Sequence, residues 1–157
     1  MNLSGSPLAA KSMKYMASAS KVVIEDSTLP KSTENMVMLR ASQINGCGFC
    51  TDIHTKDAAH AGETPVRINL VAAWRESKIF TDAERAALEL TEQGTRMADA
   101  AGGVTDEAWT NAAKHYDEEQ LAALVCLIAL INATNRLGVI TQLRGGDYQP
   151  GQPGQPG

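Results

Sequence analysis

The chain has 157 residues, a length typical of one domain with a single hydrophobic core. Its formal charge is −4 at pH 7, and its lysines and arginines are scattered, which argues against nucleic acid and anionic membrane surfaces as partners. Hydrophobic residues make up 43% of the chain but aromatic residues only 4%, so aliphatic side chains must build the core. This composition favours packed helices over a β-sandwich and predicts an all-α fold.

Two sequence features bear on where in the cell the protein is found. The first 20 residues lack the apolar run and small-residue cleavage site of a secretory signal. The most apolar window, Leu121 to Ile131, is shorter than the roughly 20 residues that a membrane span needs. We therefore expect a cytoplasmic protein without a membrane partner.

The first half of the chain carries signals for three helices, separated by a loop and a turn. We predict a helix from Leu8 to about Glu25, a loop from Asp26 to Pro30, and a second helix from Lys31 to Ile44. Asn45-Gly46 is a turn signal, after which a third helix begins at about Cys47. This places the cysteine pair at the start of a helix.

Helix N-cap signals mark the second half. Thr64 precedes a proline suited to a first helical turn, and the pattern after it predicts a helix to about Ser77. Thr81 and the glutamate three residues later match a capping box that opens a helix to about Ala100. Thr105 and Asp117 are the next predicted N-caps.

The last predicted helix is the most apolar, and its hydrophobic residues spread wider than one stripe, which predicts burial on most sides. Cys126 lies within it and is interpreted as an inert core thiol. Asn132, Asn135 and Arg136 follow as a polar cluster, which either satisfies buried groups or binds a ligand, and we favour the structural role. The helical domain is predicted to span residues 1–143, and residues 144–157 form a Gly/Pro/Gln-rich tail predicted to be disordered.

Residues 47–57 carry the best candidate for chemistry. In a helix, Cys47, Cys50 and His54 fall within roughly 60° of one another, with Asp57 close beside them. A helix N-terminus favours a thiolate, and cysteines three residues apart there are close enough for a disulfide. His54 is the candidate base, and Asp57 is a weaker candidate for orienting its ring.

Other interpretations of the cysteine pair are less well supported. Two buried hydrophobes would leave the adjacent histidine as a coincidence. Zinc would need Cys47 and His54 on one ion, although they lie roughly 10 Å apart along a straight helix. A thioredoxin-type site would follow a β-strand, and no such strand is predicted. We expect no cofactor and no bound metal.

Several segments resemble a known family. They are Arg40-Ala-Ser-Gln-Ile-Asn-Gly-Cys-Gly-Phe-Cys-Thr-Asp-Ile-His-Thr-Lys-Asp57, Trp74-Arg75-Glu76, Phe80-Thr81 and Ile131-Asn-Ala-Thr-Asn-Arg136. Together they resemble the carboxymuconolactone decarboxylase superfamily, specifically its alkyl hydroperoxidase D (AhpD)-like branch. The resemblance covers roughly Leu8 to Thr141.

The resemblance implies an AhpD-like helical bundle that assembles as a homo-oligomer, commonly a trimer or hexamer. It also implies peroxidase or disulfide-reductase chemistry with a hydroperoxide or disulfide substrate and an unidentified thiol reductant protein. By analogy, Cys50 would attack the peroxide, Cys47 would resolve the product as a disulfide, and His54 would belong to the proton relay.

Two positions depart from the family pattern. The family relay includes a glutamate twelve residues before the first cysteine, which here is Asn35, while Glu34 is one residue out of register. In peroxidase members a second histidine can stand between the cysteines, and here that position is Phe49.

The cysteine pair and the family resemblance together leave four candidate functions. A thiol-dependent peroxidase in antioxidant defence is the leading hypothesis, followed by a disulfide oxidoreductase and a redox sensor without turnover. A lactone decarboxylase is less well supported, because its acid/base chemistry would not need the cysteine pair.

Overall fold

A computed structural model of the chain describes residues 3, 5–99 and 102–151. Within these residues the protein has seven α-helices, one 3₁₀-helix and no strand, which confirms the predicted all-α class. The elements are α1 (Pro7–Asp26), α2 (Lys31–Ile44), α3 (Gly48–His60), α4 (Pro65–Leu70), the 3₁₀-helix (Val71–Glu76), α5 (Asp82–Thr95), α6 (Asp106–Ala112) and α7 (Glu118–Thr141).

The predicted N-caps are confirmed. The side chains of Thr64, Thr81, Thr105 and Asp117 each accept a hydrogen bond from the backbone N–H three residues later. Thr81 and Asp117 also form complete capping boxes, which satisfy backbone donors that a helix start would otherwise leave unpaired.

Two helices end earlier than predicted. The α-helix after Thr64 ends at Leu70 and continues as the 3₁₀-helix. Inside that helix Ala73 has the non-helical angles φ −125° and ψ 32°, and the next residue, Trp74, donates to Glu92 Oε1 at 2.9 Å. The helix after Thr81 ends at Thr95 rather than near Ala100, a residue outside the described ranges. Tertiary contacts in the first case outweigh a continuous helical pattern.

The core lies where α2 crosses α5 and α7. Val37 of α2, Leu88 of α5 and Leu124 of α7 each have 0% exposed surface. By length and composition alone, α7 could cross a membrane, but 44% of its most apolar window is buried inside this bundle. Core helices pass the same test.

A group of charged residues, here called the Glu92 cluster, joins α2 to α5 and the 3₁₀-helix. Glu92 accepts from Arg40 Nε at 2.7 Å, Arg75 Nη2 at 2.9 Å and Trp74 Nε1 at 2.9 Å. Burial alone would raise the Glu92 pKa, but these bonds hold it below its ordinary value. These three donors together keep one buried carboxylate charged.

The first helix packs more loosely than the others. None of the residues of α1 is buried, and Leu8, Tyr15 and Val22 are 76%, 63% and 58% exposed. Its main partner is α7.

The predicted disorder after Leu143 is wrong for residues 144–151. Tyr148 is 7% exposed and donates its hydroxyl to Asp57 Oδ1 at 2.5 Å. Lys56 donates to the Tyr148 carbonyl at 2.9 Å, and Gly146 N donates to Asp52 Oδ2 at 2.9 Å. These bonds to α3 offset the conformational entropy lost when the segment is ordered. Its composition gave no sign of such contacts. Residues 152–157 lie outside the described ranges.

The interpretation of Cys126 as a core thiol is also wrong. Cys126 is a free, exposed cysteine, because it lies on the face of α7 that points away from α2 and α5. The apolar residues around it extend to the surface of this single chain.

Candidate functional site

The turn between α2 and α3 fixes where the cysteine pair lies. Gly46 has φ +66°, a left-handed conformation that glycine adopts without steric cost. Gly46 N donates to Gln43 O at 3.3 Å and Cys47 N to Ser42 O at 3.1 Å, the two bonds of a Schellman motif. The motif ends α2 and turns the chain directly into α3.

Asn45 anchors this turn to α7. Its side-chain nitrogen donates to Asn132 Oδ1 and Asn135 Oδ1, both at 2.9 Å. Asn135 in turn donates to Ser42 Oγ at 3.1 Å, and Asn132 donates to Thr95 Oγ1 at 3.1 Å. The predicted structural role of the two α7 asparagines is confirmed, since they set the register of α7 against the turn.

Cys47 and Cys50 form a disulfide at the N-terminus of α3, with their Cα atoms 5.3 Å apart. Cys47 is the N-cap of α3, and its sulfur accepts from the Cys50 backbone N–H at 3.2 Å. The sulfurs are well covered, since Cys47 is 2% and Cys50 6% exposed. The predicted helix start is confirmed to within one residue.

A cavity of about 250 Å³ lies beside the disulfide, between α1, α3 and α7. Cys50 and His54 are in its wall, whereas Cys47 is not. No Asp, Glu, Lys or Arg is among the described residues that line it, so the cavity suits an apolar guest. The remaining lining residues are Met13, Met16, Ala17, Ser20, Ile24, Met38, Phe49, Ile53, Leu127, Leu130, Ile131, Thr134, Leu137, Gly138 and Leu143.

His54 is buried in an unusual state. It is 8% exposed, and its Nδ1 has no hydrogen-bond partner within the described part of the chain. Burial lowers the His54 pKa to about 4, so the ring is neutral at pH 7. An unpaired buried nitrogen costs roughly 1–3 kcal/mol, which points to a constraint other than stability.

The other sequence candidates lie away from this cavity. The Asp57 carboxylate binds Tyr148 rather than the His54 ring, and burial raises its pKa. Glu34 is 2% exposed and accepts from Lys31 at 2.8 Å, and burial raises its pKa as well. Asn35 is 8% exposed, and neither Asn35 nor Glu34 is in the cavity wall. The structure therefore brings together Cys47, Cys50 and His54 but not these three residues.

Sequence reasoning missed Gly138 and the methionines of the cavity wall. An ideal Cβ on Gly138 would lie 2.8 Å from Cys47 Sγ and 3.4 Å from Cys50 Sγ. A lone glycine inside a strongly apolar helix was the available signal, since it often marks a close approach. Met13 and Met16 gave no signal, because their role depends on how α1 lies across α7.

This arrangement can perform thiol redox chemistry. Two sulfurs are in bonding distance, one faces an apolar cavity, and a neutral imidazole stands in the same wall. In the described residues, no group of three or more His, Cys, Asp or Glu side chains could hold a metal ion.

Comparisons with known proteins identify the family of the chain. The carboxymuconolactone decarboxylase family pattern matches residues 10–93, more than half of the chain. The uncharacterized protein YdfG of Bacillus subtilis is 39% identical over 132 residues, which is 84% of this chain and 88% of YdfG. At these levels, family membership is shown by sequence alone.

Solved structures point to one branch of this family. A protein of unknown function from Agrobacterium tumefaciens, provisionally assigned as antioxidant defence protein AhpD, superposes with a TM-score of 0.82 at 31% identity. The match covers 88% of this chain and 93% of that one. An uncharacterized peroxidase-related protein with an AhpD core from Ralstonia eutropha shares the fold, with a TM-score of 0.75, 19% identity and coverage of 92% and 74%. The chain belongs to the carboxymuconolactone decarboxylase family, in its AhpD-like branch.

Proposed function

We propose that the protein is a thiol-dependent peroxidase that reduces organic hydroperoxides. One observation carries the proposal: of the two disulfide-bonded sulfurs, it is Cys50 that lies in the wall of an apolar cavity, together with His54. An antioxidant role follows from this chemistry.

The reaction begins at Cys50. Its thiolate attacks the terminal oxygen of the hydroperoxide, the O–O bond breaks, and the alkoxide leaves and takes up a proton to become an alcohol. Cys50 is then a sulfenic acid. The Cys47 thiolate attacks the Cys50 sulfur, which forms the S–S bond and releases water once the leaving hydroxide is protonated. A dithiol reductant supplies two electrons and restores both thiols.

The positions of the two cysteines suit this division of labour. Cys50 is the sulfur that a guest in the cavity can meet. Cys47 Sγ accepts a hydrogen bond from the Cys50 backbone N–H at 3.2 Å, and such a bond at a helix N-terminus stabilises a thiolate. Cys47 is therefore suited both to attack the sulfenic acid and to leave when the reductant attacks Cys50, since a stabilised thiolate leaves faster.

His54 is suited to transient proton transfer. With a pKa of about 4 it is neutral at pH 7, so its ring can accept a hydrogen bond and relay a proton towards the leaving alkoxide, although it is too weak a base to hold the Cys50 thiol proton. Because its burial disfavours the charged ring, the proton does not stay on His54.

The cavity supports an uncharged, apolar hydroperoxide as the substrate. Methionine, leucine and isoleucine side chains dominate its wall, and burial of apolar surface is the main source of affinity there. A charged group placed inside would meet no counter-ion in the described wall and would lose its hydration.

A second candidate function is a disulfide oxidoreductase or redox sensor. It is favoured by Asn35, which stands where the family relay has a glutamate. An amide at this position cannot donate and recover a proton as the family glutamate can, and the acid next to it is bound to Lys31. A slow peroxide step would leave the disulfide exchange chemistry intact.

Steady-state consumption of cumene hydroperoxide with dithiothreitol tests the proposal. The unmodified protein should turn over many times, Cys50→Ser should fall to the rate without protein, and Cys47→Ser should turn over more slowly, because dithiothreitol must then reduce the Cys50 sulfenic acid directly. Cys126→Ser is the matched control and should keep full activity, because Cys126 is exposed and is not in the cavity wall.

Other results would redirect the assignment. Equal turnover by Cys50→Ser would sink Cys50 as the nucleophile. No turnover by the reduced, folded protein would favour the oxidoreductase or sensor. Lactone decarboxylation that survives replacement of both Cys47 and Cys50 by Ser would revive the decarboxylase.

We also propose that the chain forms a homo-oligomer, a trimer or hexamer, in the cytoplasm, with a thiol protein as reductant. The exposed apolar side chains of α7 support this assembly: Val125, Val139 and Ile140 are 43%, 47% and 68% exposed. Light scattering after size exclusion measures the subunit number, and a monomer at micromolar concentration would contradict it.

A further inference from the structure

We propose that Gly138 of α7 is a positioning residue that favours the oxidised form of the Cys47–Cys50 pair. The inference builds on the thiol redox chemistry proposed above and concerns the equilibrium between dithiol and disulfide. It does not depend on which oxidant forms the disulfide.

The geometry of Gly138 carries the inference. An ideal Cβ at this position would lie 2.8 Å from Cys47 Sγ, a separation that real Cβ atoms essentially never show. It would also lie 3.4 Å from Cys50 Sγ, in tight but tolerable contact. The absence of a side chain therefore makes room for the Cys47 sulfur in the disulfide.

The α7 backbone has little freedom to retreat from the sulfur. Asn135, one turn before Gly138, has 0% exposed surface and accepts from Asn45 at 2.9 Å. Asn45 lies only two residues before Cys47, so the same bonds that hold the turn also hold Gly138 against the disulfide. A shift of α7 large enough to admit a methyl group would strain these bonds.

The two redox states respond differently to a side chain at this position. In the disulfide, the Cys47 sulfur is tied to Cys50 and cannot move aside. A reduced Cys47 can rotate about its Cα–Cβ bond to another staggered rotamer. A methyl group at residue 138 therefore destabilises the disulfide more than the dithiol, and glycine selects the disulfide.

Redox equilibration of the full-length protein in dithiothreitol buffers of known potential tests this. Gly138→Ala should shift the ratio of dithiol to disulfide at least tenfold towards dithiol, which corresponds to about 30 mV for a two-electron couple. Gly94→Ala is the matched control in α5, where the new Cβ would meet only Ile128 Cγ2, at 3.1 Å. Its ratio should stay within twofold of the unmodified protein.

A shift of less than twofold in Gly138→Ala, or one equal to that of Gly94→Ala, would overturn the inference. Because the buffers contain no peroxide, this result is separate from failure of the peroxidase assay.

A second measurement covers the case in which oxidised Gly138→Ala does not fold. Gly138→Ala is combined with Cys47→Ala, which removes the sulfur that the methyl group would meet. The combined variant should unfold at the same urea midpoint as Cys47→Ala alone. An equal loss of stability from Gly138→Ala in both backgrounds would contradict the inference, because the penalty would then be unrelated to Cys47.

Discussion

The Glu92 cluster and the cavity wall beside the disulfide differ in whether their buried polar atoms have hydrogen-bond partners. In the cluster, the carboxylate accepts from Arg40, Arg75 and Trp74. In the wall, His54 is 8% exposed and its Nδ1 has no partner in the described part of the chain. Both regions lie next to α2, so the same bundle contains a fully paired site and an unpaired one.

The difference shows that the fold is less stable at the His54 site than full hydrogen bonding there would make it. The partners of Glu92 lower the pKa of its carboxyl group and link α5 to its neighbours. The unpaired imidazole of His54, by contrast, costs free energy because it is buried. A bundle able to supply three donors to one acid leaves a nitrogen unpaired only beside its disulfide, among the residues that the structure describes. The comparison predicts opposite responses to mutation in the two regions.

Replacement of His54 gives the largest expected effect. It should lower activity without lowering stability. His54→Leu should lower peroxide turnover by roughly 10²–10⁴-fold, the usual contribution of a positioned proton-transfer group. Its free energy of unfolding should be unchanged or higher by about 1–2 kcal/mol, because an unpaired buried nitrogen is removed. Kinetics and urea unfolding on the same samples measure both effects. A large loss of stability would show that His54 has a structural partner.

Removal of the Glu92 carboxylate should give the opposite pattern. Glu92→Ala should lower the free energy of unfolding by about 3–5 kcal/mol, because it leaves the Arg40 guanidinium, on a side chain only 14% exposed, and the Trp74 indole without their acceptor. Glu89→Ala is the control, since Glu89 is on the outer side of Arg75 and its loss should cost about 1 kcal/mol or less. Equal losses from the two variants would show that the cluster is not special.

The stability of the protein should depend on pH through His54. The folded His54 pKa of about 4 lies below the ordinary value of 6.5, so between these values the unfolded chain binds more protons. Protonation of His54 therefore leaves the free energy of unfolding unchanged above about pH 6.5 and lowers it by about 3 kcal/mol in total as the pH falls towards 4. His54→Leu should flatten this part of the unfolding profile. Identical profiles for the two proteins would contradict the lowered pKa.

The smallest expected effect concerns the segment after α7. Tyr148→Phe removes the hydroxyl that donates to Asp57 and should lower the free energy of unfolding by about 1 kcal/mol. Tyr15→Phe, at a 63% exposed position of α1, is the matched control and should change it by less than about 0.5 kcal/mol. A Tyr148 effect as small as that of Tyr15 would mean that residues 144–151 add nothing to stability.

The sequence predicted the parts of the fold that depend on local signals. Thr64, Thr81, Thr105 and Asp117 cap helices through bonds that span three residues, so composition and spacing suffice to find them. The placement of the cysteine pair at a helix start likewise follows from Asn45-Gly46.

The remainder depends on contacts between distant segments. The helical pattern is interrupted at Ala73, next to Trp74, whose indole N–H is accepted by Glu92 18 residues later. Tyr148 is ordered by Asp57, 91 residues earlier, although its own neighbours are typical of a disordered chain. The place of Gly138 under the disulfide depends on the register of α7, which no local pattern encodes.

The exposed thiol of Cys126 has a practical consequence for following the redox state. The chain has three cysteines, two of which form the disulfide, so the folded oxidised protein still presents one thiol at its surface. A maleimide mass tag should therefore add one label to the denatured oxidised protein and three to the reduced protein. The same thiol can link two chains during aerobic storage, which makes Cys126→Ser the safer background for every titration of the Cys47–Cys50 pair.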